Sequence, residues 1–226
     1  MIETIVTEDA ESAAALVADM LAAQARAGGH VVLTGGSTPG RAYELAAERE
    51  PDWERVQLWW GDERCVEPDD ERSNFRLAKE ALLDRLAAPP EAVHRMRGEL
   101  GAEAGADDYD RELGELARFD LLLLGLGPDG HVASLFPDEP TLDESERRVI
   151  PAAAKLEPFV DRITMTLPIL RAAHAVVFLV TGESKADAAA RAFGGEPSRS
   201  TPGSLVRTVS GATTAVLDRA AAAKLG

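Results

Sequence analysis

The stretch Phe119-Asp120-Leu121-Leu122-Leu123-Leu124-Gly125-Leu126-Gly127-Pro128-Asp129-Gly130-His131-Val132-Ala133-Ser134-Leu135-Phe136-Pro137 decides how this chain is read. Four consecutive leucines, bounded by turn residues, predict a short strand buried on both faces, as at the centre of a parallel sheet. Gly125, Gly127 and Gly130 follow directly, removing Cβ atoms where the backbone leaves that sheet. Ligands of open α/β sheets bind at the carboxyl ends of strands, so Asp129 and His131 are placed where chemistry is done. His131 exchanges a proton near neutrality and is read as a general base. Asp129, two residues earlier, either fixes the His131 tautomer or closes a surface turn as an Asx cap.

Working outward, strands and helices alternate along the chain. Ile2 to Val6 reads as an edge strand, followed by a helix to about Ala27 that Thr7 to Asp9 cap and Gly28-Gly29 end. His30 to Thr34 is a strand, and Gly35-Gly36-Ser37-Thr38 then opens a helix from about Pro39 to Arg49. Bare N–H groups of Gly35, Gly36 and the first helical turn, with the hydroxyls of Ser37 and Thr38, make an anion site at a helix N-terminus. The spacing is neither a P-loop nor a dinucleotide fingerprint.

Val56 to Trp60 is the next strand, with Gly61-Asp62-Glu63-Arg64 just past its end. Arg64 offers a fixed cationic fork for phosphate or a developing oxyanion, and Asp62 either holds that fork or joins the chemistry. Ser73-Asn74 caps a helix to about Leu86, with Asn74 left open between capping and ligand contact. Residues 102 to 117 form an acidic amphipathic helix, and Ala92 to Met96, Val149 to Ala154 and Arg162 to Leu167 read as strands. Ala175 to Val180 is a further apolar strand ending in Thr181-Gly182-Glu183-Ser184-Lys185, with a helix onward to about Phe193. The chain has only four lysines, so Lys185 at a strand's carboxyl end is read as a phosphate contact. Residues 194 to 204 make a Gly-, Pro- and Ser-rich loop; Thr213 to Leu217 is the last strand, and Asp218 caps a closing alanine-rich helix. The pattern predicts an α/β fold: one Rossmann-like domain, residues 1–226, with a doubly wound, mainly parallel sheet.

Composition sets outer bounds. The formal net charge of −15 opposes non-specific binding to nucleic acid or anionic lipid, so a phosphate substrate needs a local cluster of cations and amides. Cys65 is the only cysteine, which excludes an intrachain disulfide and a cysteine zinc site; it is read as buried filler. No signal peptide or membrane span is recognisable, and a cytoplasmic monomer or small homo-oligomer is expected.

Five blocks together resemble the 6-phosphogluconolactonases: Gly35 to Pro39; Trp60 to Arg64 with Ser73-Asn74; Gly125 to Pro137; Arg162 to Thr166; and Gly182 to Ala186. The resemblance runs in order over nearly the whole chain. It implies a hydrolase without cofactor or metal that acts on a sugar-phosphate lactone in the oxidative pentose phosphate pathway. It also implies the fold of glucosamine-6-phosphate deaminases and ribose-5-phosphate isomerases. On matching positions His131 would activate water, Arg64 and Lys185 would hold phosphate or developing charge, and Gly35 to Thr38 would cradle the substrate. Asp129, Asp62, Asn74 and Arg162 join that set. Two alternatives stand beside this: a glucosamine-6-phosphate deaminase or isomerase, against which Ser134-Leu135-Phe136-Pro137 speaks, and a non-catalytic sugar-phosphate sensor. Ser134 lacks a Gly-x-Ser-x-Gly elbow and is read as a loop or cap residue.

Overall fold

In the computed structural model, which describes residues 2–225, the elements run in order. They are β1 (Ile2–Thr7), α1 (Ala10–Ala27), β2 (Gly29–Leu33), α2 (Ser37–Arg49), β3 (Val56–Trp60), β4 (Asp62–Arg64), α3 (Asn74–Ala81), β5 (Ala92–Val93), α4 (Ala102–Leu113), β6 (Leu121–Leu124), β7 (Val149–Ala152), β8 (Arg162–Met165), α5 (Leu167–Ala172), β9 (Ala175–Val180), α6 (Ala186–Ala189) and β10 (Ala212–Asp218). Seven strands form one parallel sheet in the order β1-β10-β9-β6-β2-β3-β5. From β2 the chain progresses outward through β3 to β5, and from β6 it progresses the other way through β9 to β10. The direction reverses between β2 and β6, and the loops leaving these two strands part there to open a crevice.

The leucines of β6 are all buried, each contributing roughly 1.5–3 kcal/mol by leaving water. On one face they meet α1 and α2 through Leu121 and Leu123; on the other Leu122 and Leu124 meet Tyr109, Phe119 and Phe178. Local chemistry fixes the helix ends. Asp9 caps α1 by accepting from the Ser12 N–H at 2.8 Å, and Gly28 (φ 84°) closes it.

The segments Asp62–Arg64, Val149–Ala152 and Arg162–Met165 depart from the expected pattern. Asp62-Glu63-Arg64, placed by the sequence just past a strand's end, is itself strand β4, and it pairs antiparallel with β8, which pairs antiparallel with β7, making a second, three-stranded sheet. Gly61 joins the two layers: its N–H donates to Leu33 O at 3.1 Å, and its carbonyl accepts from Met165 N at 2.9 Å. A three-residue charged strand gives no alternation to read, which is why the sequence hides it. The alanine-rich C-terminus forms turns rather than a helix; Asp218 does cap it, accepting from the Ala221 N–H at 2.7 Å, while also taking the Gly182 N–H at 3.0 Å. The helix expected over 102–117 stops at Leu113, where Gly114 (φ 51°) turns the chain, and the one expected to Phe193 passes from short α6 into a π turn over Ala190–Gly194.

Candidate active site

The loop after β6 is folded tightly on itself. The Gly127 N–H donates to His131 O at 2.9 Å and the Gly130 N–H to Gly127 O at 3.0 Å. Asp129 Oδ1 accepts from the His131 backbone N–H at 3.0 Å and lies 2.6 Å from His131 Nδ1. The Asx turn and the orienting contact, posed as alternatives by the sequence, are thus made by one oxygen. A carboxylate accepts, so in the neutral ring the proton sits on Nδ1 and Nε2 is the acceptor. Burial pushes the Asp129 carboxyl up, but the hydrogen bonds from the His131 ring and backbone, with the charge the ring carries when protonated, outweigh this and hold it below the usual carboxylate range. A Cβ on Gly127 would stand 2.0 Å from His131 Nδ1, so only glycine lets the imidazole fold back onto this loop. Phe136 closes the other side of the ring, centroids 4.8 Å apart.

His131 opens on a cleft of about 560 Å³ that also exposes Gly35, Gly36, Asp62, Arg64, Asn74, Arg162 and Lys185. Elements of both sheets therefore meet there. Arg64 and Arg162 are register partners across β4 and β8, with their side chains on one face. Arg64 donates to Arg72 O at 2.6 Å, and Arg162 to Pro158 O at 3.0 Å. The Nε groups of both are buried and unpaired among the described residues. Burial lowers the Arg162 pKa, and the charge of Arg64 lowers it further, against Asp62 and Glu63. Burial likewise lowers Lys185, against the opposing pull of Asp129.

Asp62 does not hold the Arg64 fork. Its Oδ1 accepts from Asn74 Nδ2 at 3.2 Å and its Oδ2 from Ser134 Oγ at 2.7 Å. Asn74 Nδ2 also donates to Asp62 O at 2.9 Å, which fixes the amide so that its Oδ1 faces Gly35. Beneath them Glu63 takes the N–H groups of Arg64, Asn74 and Phe75 and the hydroxyl of Ser73, and so caps α3. Ser73 in turn accepts from the Arg76 N–H at 3.1 Å, the helix cap expected of it.

At the start of α2 the N-cap Gly36 (φ 111°) supplies no side-chain cap, so the first turn's N–H groups keep their donors. Buried Tyr43 holds the approach by exchanging bonds with the backbone of Thr34 at 2.9 and 2.6 Å. The two hydroxyls of this loop are not in the cleft: Thr38 Oγ1 pairs with Thr181 Oγ1 at 2.7 Å, and Ser37 lines a shallow groove with Arg41 and Leu77. Sequence reasoning did not assign Thr34, Phe136, Leu156, Glu157 or Phe159, which also line the cleft. The signal for the 156–159 segment was a pair of apolar residues, Leu156 and Phe159, in an otherwise polar loop; Phe159 lines the cleft and is 67% exposed. Arg207 lies outside the cleft lining, its guanidinium donating to the carbonyls of Gly203 and Val206 at 3.0 and 2.8 Å. Among the described residues no three or more His, Cys, Asp or Glu side chains cluster as metal ligands would.

A doubly wound sheet with a histidine–carboxylate pair at its switch point, in one cleft with two arginines and a lysine, defines an α/β protein with a cation-lined cleft at the carboxyl ends of its strands. The chain belongs to the glucosamine-6-phosphate isomerase/6-phosphogluconolactonase family, whose description matches residues 3–215. It is 40% identical to a 6-phosphogluconolactonase of Mycobacterium leprae over 99% of this chain and 95% of that one. It superposes on a 6-phosphogluconolactonase from Trypanosoma cruzi with TM-score 0.89 and 26% identity, covering 100% of this chain and 97% of the other. A monomeric glucosamine-6-phosphate deaminase shares the fold, at TM-score 0.84 and 19% identity over 98% and 99% of the two chains.

Proposed function

We propose that this chain hydrolyses 6-phosphoglucono-1,5-lactone to 6-phosphogluconate, with His131 as the general base. The observation that carries the reading is the Asp129–His131 pair, 2.6 Å apart, opening on the cleft that holds Arg64, Arg162 and Lys185. His131 Nε2 takes a proton from water as its oxygen bonds to the lactone carbonyl carbon. The carbonyl π electrons pass to oxygen, and the arginines stabilise that oxyanion. When the tetrahedral centre collapses, the ring C–O bond breaks and the imidazolium returns its proton to the leaving ring oxygen, regenerating neutral His131. Lys185 and the uncapped first turn of α2 hold the phosphate.

The magnitudes suffice for this substrate. A positioned base contributes about 10²–10⁴-fold. Donors aimed at the oxyanion add about 10²–10³-fold each. The reaction needs no group beyond the chain's own residues, and a cytoplasmic setting suits a sugar-phosphate substrate.

The test is acid release from freshly generated lactone, comparing wild type and His131→Ala with the spontaneous rate, with glucosamine 6-phosphate assayed in parallel for ammonia. Acceleration by wild type and its loss in the variant are expected. Ammonia without acceleration would replace the lactonase by a deaminase, and no turnover of either would leave a sugar-phosphate sensor.

A further inference from the structure

The cleft is assembled from two sheets, and the reaction needs their contributions in register. His131 rides on the loop from the large parallel sheet; Arg64 and Arg162 stand on the small antiparallel one. Ser134, three residues beyond His131, spans the gap. Its Oγ donates to Asp62 Oδ2 at 2.7 Å and its N–H to Thr164 Oγ1 at 3.1 Å. Asp62 and Thr164 are themselves register partners across β4 and β8, two rungs from Arg64 and Arg162 and on the same face. Ser134 thus grips both strands of the arginine sheet at a single rung. The intervening Glu63–Ile163 rung points away, Glu63 to cap α3 and Ile163 into the core.

The turn is shaped for that grip. Val132 and Leu135 bridge each other, and Ala133 between them holds φ 50°, a backbone conformation that a side-chain-bearing residue adopts only when its surroundings impose it. Ser134 and Thr164 are fully buried and absent from the cleft lining, so neither touches substrate.

We propose that Ser134 is a positioning residue for the lactone hydrolysis, setting the placement of His131 against the Arg64–Arg162 pair by holding the Asp62–Thr164 rung. This rests on the lactonase reading. Misplacement of a catalytic group by about 1 Å costs about 10²-fold in rate. Ser134→Ala removes one bond of the grip; Thr164→Val removes the other with little change of shape; Thr164→Ser keeps the accepting oxygen.

The experiment is steady-state hydrolysis of 6-phosphogluconolactone by wild type and the three variants, each first checked for a cooperative melt, with 6-phosphogluconate binding measured by calorimetry. Ser134→Ala and Thr164→Val are expected to lower kcat at least tenfold with KM and product affinity within about threefold, and Thr164→Ser to keep more than half the wild-type kcat. Folded variants with kcat within twofold of an active wild type would overturn the proposal and leave the grip a purely structural contact. Should Ser134→Ala not fold, Thr164→Val decides; if it too fails to fold, the rung is a folding element and the proposal is overturned. An inactive wild type would sink the lactonase reading itself, and this proposal with it.

Discussion

Arg64 and Arg162 stand directly opposite each other on adjacent antiparallel strands, two like charges at one rung of a three-stranded sheet. Like charges directly opposite each other destabilise a sheet, and an anion bound between the two forks would offset that repulsion. Arg64→Met, which keeps the apolar stem, should therefore leave Tm unchanged or raise it by about 1–4 °C while activity collapses. Thermal melting beside lactone turnover checks this; a clear fall in Tm would mean that the pair stabilises the empty protein.

Gly127 tests the geometry of the base. An added methyl would stand 2.0 Å from His131 Nδ1 and 2.6 Å from Asp129 Oδ1, so in Gly127→Ala the ring must leave its partner. A loss of about 10²-fold or more in kcat is expected, the scale on which base catalysis contributes. Binding of 6-phosphogluconate should persist, because Lys185 and α2 lie on other loops. Calorimetry with the variant would expose the opposite result.

How much of this was legible in the residues depended on the kind of signal. Leu121 to Leu124 announced a buried central strand because four apolar residues between turns have few other fates, and two of the glycines after it, Gly125 and Gly127, line the cleft. The Asp129–His131 contact followed from a local turn, so nearness in sequence became nearness in space. The small sheet was not legible: Asp62 to Arg64 and Arg162 to Met165 meet across the whole intervening chain from 65 to 161, and β4 is too short for a periodic pattern. For the same reason Ser134 read as a loop or cap residue: it does lie in a turn, but its partners Asp62 and Thr164 are on those distant strands. Ser37 and Thr38 show the converse limit, since the helix start was correctly signalled but the direction of two hydroxyls was not.

Lys185 gives a pH dependence with a definite sign. Burial lowers its pKa below the ordinary 10.5, and a bound phosphate would raise it again. Binding of 6-phosphogluconate at mildly alkaline pH should therefore take up protons, visible as a dependence of the binding heat on buffer ionisation enthalpy. Lys185→Met should abolish that uptake. In the free protein the unfolded chain holds this proton more tightly than the folded one, so the group makes folding more favourable as pH rises from the lowered value towards 10.5.

Cys65 should be chemically quiet. Burial, with the charges of Asp161 and Glu63, pushes its thiol up to about 11, leaving little thiolate at neutral pH. Iodoacetamide at pH 7 is expected to label it slowly, and Cys65→Ala to retain activity. Rapid labelling, read by intact mass, would contradict that environment.

The arginines lie recessed in a chain of net charge −15, and this sets the course of encounter as well as of chemistry. A phosphorylated substrate approaching from afar meets a repelling field and is drawn in only near the cleft mouth. Added salt acts on the two regions unequally. With a screening length near 10 Å at about 0.1 M, it weakens the distant repulsion before it reaches the partly buried forks. Association should therefore quicken with the first additions of salt and slow with later ones, so that the protein works best as a collector of anions at intermediate ionic strength.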